Sequence, residues 1–335
     1  MNWSRGFLAD YHYTIVDPAT WRDLRSYNLT DGSVMKTTDG LMESADIGIT
    51  SLPSEGETWV RIYLAAMQDG TVTREALFTG LLQAPTTDWD GRRESHQAEL
   101  YSVLKPADDI LLPRGWYALA GSDGARLAAE LLDAGPAPVT YEEGSPRLAS
   151  HMIAEAHETN LSMARKLVDA IGWRIRLSGD GQISIEPRAT RTAAMFDPNG
   201  NDVVELAITD QRDWYSCPNV FRAQINNLVA VATDDDPDSP FSTVSRGREI
   251  WKEDDAIALN DGESIEEYAI RRLKEEQMPA RMISYGRRYM PGVGPGDLVG
   301  LTYPGQRISG TFRVLSQRIE LGYGARVAEE CEAYG

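Results

Sequence analysis

The stretch Arg281–Leu321, RMISYGRRYMPGVGPGDLVGLTYPGQRISGTFRVLSQRIEL, decides how the rest of the chain is read. Ile283 and Tyr285 alternate with polar neighbours, as in a half-buried strand. The run Pro291-Gly292-Val293-Gly294-Pro295-Gly296-Asp297 follows, and neither a helix nor a strand ladder passes through its prolines and glycines. Leu298, Val299 and Leu301 predict a second strand, and Pro304-Gly305 a turn. Thr311–Leu321 alternates first through Phe312 and Val314 and then through Leu315, Ile319 and Leu321, a slip of phase that predicts a β-bulge. The whole stretch predicts a tightly turned antiparallel barrel wall.

Working outward, residues 1–105 show the same pattern. Gly6–Val16, the alternating Ala45, Ile47 and Ile49, Trp59–Leu64, Glu75–Leu82 and Arg93–Val103 read as strands. Asp31-Gly32, Asp39-Gly40 and Asp69-Gly70 read as turns between them. In residues 190–335, Val220–Ile225 and Leu228–Thr233 predict a hairpin across Asn226-Asn227. The acidic run Asp234-Asp235-Asp236-Pro237-Asp238 predicts a mobile loop leading to a strand over Val244–Trp251. Ser264 and Glu267 form a capping box for a helix with Ile265, Tyr268, Ala269 and Leu273 on one face and Pro279 as its stop.

Between these segments, residues 106–189 change period. Ser122 or Asp123 caps a helix carrying Leu127, Leu131 and Leu132, a second helix is predicted over Ser145–Thr159, and a third carries Met163, Leu167 and Ile171 before Gly172. A hairpin follows, with Trp173, Ile175 and Leu177 returning as Ile183 and Ile185 around Gly179-Asp180-Gly181. The fold class read from the sequence is therefore mainly β with an α+β insert: two antiparallel β-barrel domains, 1–105 and 190–335, flanking a helix-hairpin domain. The flanks look related, because Leu77-Phe78-Thr79-Gly80-Leu81-Leu82-Gln83 aligns with Thr311-Phe312-Arg313-Val314-Leu315-Ser316-Gln317.

The chain has 335 residues, enough for two or three domains with cores of their own. Its 33 Lys and Arg against 51 Asp and Glu leave a formal charge of −18, which disfavours a surface that grips nucleic-acid phosphates or anionic lipid. Cys217 and Cys331 have no framework spacing and read as ordinary thiols of a reducing compartment. The N-terminus lacks a signal-peptide pattern and no apolar run reaches membrane-span length, so a soluble protein made in the cytoplasm is expected.

Motifs for chemistry are weak. Asp197-Pro198-Asn199-Gly200-Asn201-Asp202 begins like a calcium loop, but Asp202 stands where Gly is needed and Ile208 where a bidentate Glu is needed. Asp234, Asp235, Asp236 and Asp238 are the weak candidates for a hard cation. Gly292, Gly294 and Gly296 look superficially like a phosphate cradle, yet Pro295 removes a donor and no Lys-Ser/Thr pair follows. His151 and His157 are six apart and not at zinc spacing; His12 and His96 lie alone in strands. No catalytic residue and no cofactor is assigned, which favours a structural protein over an enzyme.

The order of these motifs resembles phage tail hub proteins, including the hub part of type VI secretion spike proteins. The residues that carry it are Leu77-Phe78-Thr79-Gly80, the helix, glycine and hairpin over Leu167–Ile185, Asn219-Val220-Phe221-Arg222, and the Pro295-Gly296-Asp297 strand pair. The resemblance implies a structural virion protein, a homotrimeric ring at the distal end of a tail tube. Its implied neighbours are a tail tube or distal tail protein, a tape measure protein and a separate spike or receptor-binding protein, since the sequence stops at Gly335 without a spike or lysozyme extension. DNA would pass through without specific binding, and no membrane anchor is implied. The alternatives are a glycan-binding or glycan-cleaving tail protein, with Trp89, Trp116 or Trp214 beside carboxylates, and a β-rich adaptor.

Overall fold

In the computed structural model, residues 1–335 are described except 51–55, 84, 92, 200–202, 226–227, 255–258, 260–262, 278–279 and 335. The first seven strands are β1 (Leu8–Val16), β2 (Asp23–Thr37), β3 (Glu43–Ile49), β4 (Trp59–Gln68), β5 (Thr71–Leu82), β6 (Thr86–Asp90) and β7 (Arg93–Ser102). Pairing runs β1 to β4, β5, β7, β3 and β2, and β2 pairs back onto β1, all antiparallel. The alternating residues read from the sequence fill the inside: Val34, Ile47, Ile62, Leu64, Phe78 and Leu100 are buried. Each such side chain contributes about 1.5–3 kcal/mol by leaving water.

Asp31-Gly32 is not a hairpin turn. Both residues lie within β2, which continues for fifteen residues with a register shift between Leu29 and Asp31. The glycine serves close approach: at φ 151°, a Cβ on Gly32 would lie 2.4 Å from the Asp46 carbonyl oxygen of the neighbouring strand. Asp39-Gly40 and Asp69-Gly70 do turn the chain, with Gly40, Asp69 and Gly70 all at positive φ.

The middle of the chain holds α1 (Lys105–Asp109), β8 (Tyr117–Ala118), α2 (Gly124–Leu132), β9 (Val139–Tyr141), β10 (Met152–Ile153), α3 (Asn160–Ala170), β11 (Trp173–Leu177) and β12 (Ile183–Pro187). Asp123 caps α2 and Thr159 caps α3, each side chain accepting from the third amide on. The helix expected over Ser145–Thr159 does not form. Its backbone is spent in extended pairing: Leu148 N donates to Ser122 O at 3.0 Å, Gly121 N to Leu148 O at 2.8 Å and Ala154 N to Trp116 O at 3.0 Å. The Ser145 hydroxyl donates to the Asp123 carboxylate that caps α2. Leu131, Leu148, Leu161, Leu167, Ile175 and Ile185 share one core, which also takes in Val16 and Trp59 from the first strands.

The remaining elements are β13 (Thr192–Phe196), β14 (Val204–Asp213), β15 (Val220–Ile225), β16 (Leu228–Thr233), α4 (Thr243–Arg246), β17 (Trp251–Asp254), α5 (Ile265–Glu276), β18 (Ala280–Arg288), β19 (Leu298–Tyr303), β20 (Ile308–Glu320) and β21 (Arg326–Ala333). Antiparallel pairing of β2 with β20, from Ser33↔Glu320 to Thr37↔Ser316, joins the early and late strands into one 13-stranded sheet. The predicted bulge is present, with the register of β20 on β21 shifting between Val314 and Ser316. Two expectations fail here. β18 pairs with β21 and β14, and among the described residues it forms no pairing with β19, so the Pro291–Asp297 turn does not close a hairpin. The late strands are not wholly antiparallel either, because β13 runs parallel to β19.

The chain divides into two compact units, residues 1–208 with 284–335, and residues 209–283. The second unit is a three-stranded sheet, β16-β15-β17, under α5. The strand expected over Val244–Trp251 is instead α4, capped by Ser242 and stopped by Gly247 at φ 63°; only from Trp251 does the chain extend. Ile265, Tyr268, Ala269 and Leu273 pack on Phe221, Ala223, Ala230 and Ala232 as their spacing predicts. Both capping-box hydrogen bonds of Ser264 and Glu267 form. Ser264→Ala is expected to cost the second unit about 1 kcal/mol, read as faster hydrogen exchange in the first turn of α5. Asn226-Asn227, Pro279 and the calcium-like positions Gly200, Asn201 and Asp202 lie outside the described residues.

Candidate functional site

The side chains that do the most work in the first unit gather where the β11–β12 hairpin meets the early strands. Its turn, Gly179-Asp180-Gly181, presents the Asp180 carbonyl to two donors, Trp21 Nε1 at 2.9 Å and Arg61 Nη2 at 2.8 Å. Arg61 is buried on β4 and also donates to Thr79 Oγ1 at 2.9 Å and Asp23 Oδ1 at 2.8 Å. The Thr79 hydroxyl in turn donates to Gly179 O at 2.8 Å. A buried guanidinium is tolerable when paired and fully hydrogen-bonded, and Arg61 spends its donors on one carboxylate and two neighbours from different elements. The glycines allow the approach: a Cβ on Gly179 would stand 1.8 Å from the Ala76 carbonyl oxygen, and one on Gly181 would meet Thr79 and Trp21 at 2.8 Å.

A second clamp joins the same hairpin to the opening stretch. Arg174 donates to Glu186 Oε1 through Nε at 3.0 Å and Nη2 at 2.7 Å, and its Nη1 lies 2.9 Å from Asp297 Oδ1. Arg176 reaches the same two carboxylates at 3.4 and 3.7 Å. Asp297 shapes its own loop by accepting Gly294 N at 3.0 Å, while Gly296 N donates to Val314 O at 2.7 Å. With Gly292 and Gly296 at φ 82°, the run is a fixed turn whose Gly294 and Gly296 amides are already engaged.

Beneath that turn lies the most deeply buried ion pair among the described residues. Arg287 and Glu329, each 1% exposed, meet at 2.6 Å. Glu329 also accepts from the Tyr285 phenol and from Gln317 Nε2, and Gln317 donates to Val293 O at 2.9 Å. Burial and the neighbouring Glu329 carboxylate push the Tyr285 phenol well above its ordinary range. The network ties β18, β20, β21 and the turn together, holding them mechanically.

The residues singled out for metal or sugar chemistry do not converge. Asp234 accepts Asp236 N at 3.1 Å through Oδ1, and through Oδ2 it accepts the Ser239 hydroxyl and Gln277 Nε2, each at 2.7 Å; Asp236 accepts Asp238 N at 2.9 Å. The acidic run is a loop, as expected, whose Asp234 and Asp236 carboxylates are spent on a series of Asx turns. Asp197 likewise accepts Asn199 N at 2.8 Å. Among the described residues, no group of three or more His, Cys, Asp and Glu is placed to hold a metal ion. His12 stacks on Tyr63 at 5.3 Å, His96 meets Thr87 Oγ1 at 3.0 Å, and His151 Nδ1 accepts Ala120 N at 3.1 Å. His157 sits at φ 69° in the segment that was expected to be helical. Trp116 packs on the core, whereas Trp89 and Trp214 are 67% and 61% exposed. Cys217 and Cys331 are both buried and no disulfide joins them.

Sequence reasoning missed Arg61, Arg174, Arg176, Arg287 and Glu329, and read Asp297 only as part of its turn. The one local signal was the alternation of Arg174 and Arg176 with Ile175, which places both guanidinium groups on the face of β11 away from the core.

No protein-family model matches the chain, and no curated protein matches it in sequence. Solved structures do match. A tail protein from Neisseria meningitidis MC58 superimposes with a TM-score of 0.68 at 13% identity, over 98% of this chain and 97% of that one. The 43 kDa tail protein of prophage MuSo2 from Shewanella oneidensis gives 0.66 at 12% identity, over 96% and 98%. An Escherichia coli protein described as a type VI secretion component structurally similar to the T4 tail proteins gp27 and gp5 gives 0.55 at 9% identity, over 96% and 77%. Along nearly its whole length, the chain therefore has the fold of these phage tail proteins.

Proposed function

We propose that the protein is a structural subunit of a phage tail: a hub that forms a trimeric ring at the distal end of the tail tube and connects the tube to a separate tip. The observation that carries this reading is the end-to-end likeness to two phage tail proteins, with 96–98% of every chain covered. The six strands paired in a ring, together with the late strands joined to them through β2 and β20, support two related barrel domains. A trimer of such chains would present six similar barrels, matching a sixfold tube to a threefold tip. The clamps at Asp180 and Asp297 suit a part that transmits load, and the role is structural, not catalytic.

In that assembly the partners are the tail tube or distal tail protein, the tape measure protein and a spike or receptor-binding protein. The formal charge of −18 suits a channel that lets DNA pass without holding it. Among the described residues no helix is long and apolar enough to cross a membrane. Light scattering over a concentration series is expected to give three times the chain mass. A monomer at every concentration, still monomeric when mixed with purified tail tubes, would move the reading to an adaptor.

One observation favours a glycan-binding tail protein as the second reading. Trp214 and Tyr215 stand side by side in the second unit, 61% and 74% exposed, with the Arg248 guanidinium 4.5 Å from the Tyr215 ring. Saturable quenching of tryptophan fluorescence by cell-wall saccharides, lost in Trp214→Ala, would support it; unchanged fluorescence would remove it.

A further inference from the structure

A cavity of about 270 Å³ in the first unit is lined by four arginines, Arg165, Arg174, Arg188 and Arg313. Three are already neutralised: Arg188 pairs with Asp169 at 2.7 Å, Arg313 with Glu332 at 3.2 Å, and Arg174 with Glu186 and Asp297. Arg165 is different. Among the described residues no carboxylate lies within 4.0 Å of it, its Nη2 donates to the Gly40 carbonyl, and its Nε is buried without a hydrogen-bond partner. Burial holds this guanidinium below the ordinary arginine range, with Asp39 and Asp169 only partly offsetting the effect. A half-buried cation lacking an ion pair is costly to keep, and it stands beside a space large enough for a side chain.

We propose that this cavity binds a peptide carboxylate, a glutamate side chain or a free chain end of a neighbouring subunit, with Arg165 as its principal partner. The lining selects the class. Asp169, Glu332 and the Glu186 and Asp297 carboxylates are each spent on another arginine. Arg165 is thus the one of the four with no carboxylate within 4.0 Å among the described residues, and a single negative charge is what it can take. A phosphate dianion would bring its second charge against Asp39 and Asp169. Met42, Val168, Trp173 and Leu315 supply apolar walls suited to the methylene stem of a glutamate. Arginine also matches a carboxylate in a planar, two-donor geometry. The peptide source rests on the tail-subunit reading, whereas the binding test below does not depend on oligomeric state, so the two fail separately.

The test is a titration of the full chain followed through its arginine Nε–H resonances, using three probes: N-acetylglutamate α-amide, its neutral glutamine counterpart, and inorganic phosphate. The Arg165 signal is expected to shift saturably with the glutamate probe and not with the glutamine probe. Arg165→Met is expected to weaken glutamate-probe binding at least tenfold, judged by the Trp173 indole resonance, while Arg271→Met in the second unit leaves it unchanged. No saturable shift in the parent chain, or equal shifts from both amides, would overturn the proposal. Saturation by phosphate at lower concentration than by the glutamate probe would overturn the choice of carboxylate.

Discussion

Arg287→Met is expected to destabilise the protein by about 3–5 kcal/mol, because it leaves the Glu329 carboxylate charged, buried and without its counter-ion. Both partners are 1% exposed and 2.6 Å apart, so solvent cannot replace the lost guanidinium without opening the sheet. A loss of that size lowers Tm by on the order of 10 °C in a chain of this length. The effect should also be local. Gln317 is held between Glu329 and the Val293 carbonyl, so the Pro291–Asp297 turn should gain hydrogen exchange before the rest of the unit does. The double replacement Arg287→Met with Glu329→Leu is expected to recover part of the loss: both charge-desolvation costs go, while the Tyr285 hydroxyl and the Gln317 amide lose their acceptor. Incomplete satisfaction of the pair supports that recovery: Arg287 Nε has no hydrogen-bond partner, although the guanidinium lies 5.4 Å from the Phe196 ring centre. A single variant within 1 kcal/mol of the parent would refute the view that this pair pins the turn.

The legible parts of the fold were those with local causes. The slip from Val314 to Leu315 announced the β20 bulge, and Ser264 with Glu267 announced the start of α5, because each signal lies within one turn or one strand. Asp31-Gly32 misled for a physical reason. A glycine required by a neighbouring strand's backbone looks the same in sequence as a glycine required by a turn. The Ser145–Thr159 segment misled because its backbone partners, at Trp116 and Ser122, lie tens of residues away. The contacts that make the site are longer still: Arg61 to Asp180 spans 119 residues and Arg165 to Gly40 spans 125. No periodicity reports such pairs; only the order of motifs along the chain hinted at the arrangement that holds them.

Gly179→Ala carries the other large expected effect, and it separates a clash from a conformational strain. The added methyl would fall 1.8 Å from the Ala76 carbonyl oxygen, and a backbone atom in a paired strand cannot rotate away. The hairpin turn must lift from β5, breaking the Thr79–Gly179, Arg61–Asp180 and Trp21–Asp180 hydrogen bonds. At about 1 kcal/mol each, with the Arg61 charge partly stripped of partners as well, the total is about 3–5 kcal/mol. Gly172→Ala is the control. Gly172 sits at φ 70° after α3 with nothing within 4 Å of its would-be Cβ, so it should lose only the left-handed preference, about 1–2 kcal/mol. Chemical denaturation of the two variants compares them directly, and hydrogen exchange across Ala76–Thr79 should rise in Gly179→Ala alone. If the two cost the same, the hairpin is not seated on β5 as described. If Gly179→Ala is the worse by about 2 kcal/mol or more, the insert and the strand ring form one rigid piece, as the proposed structural role requires.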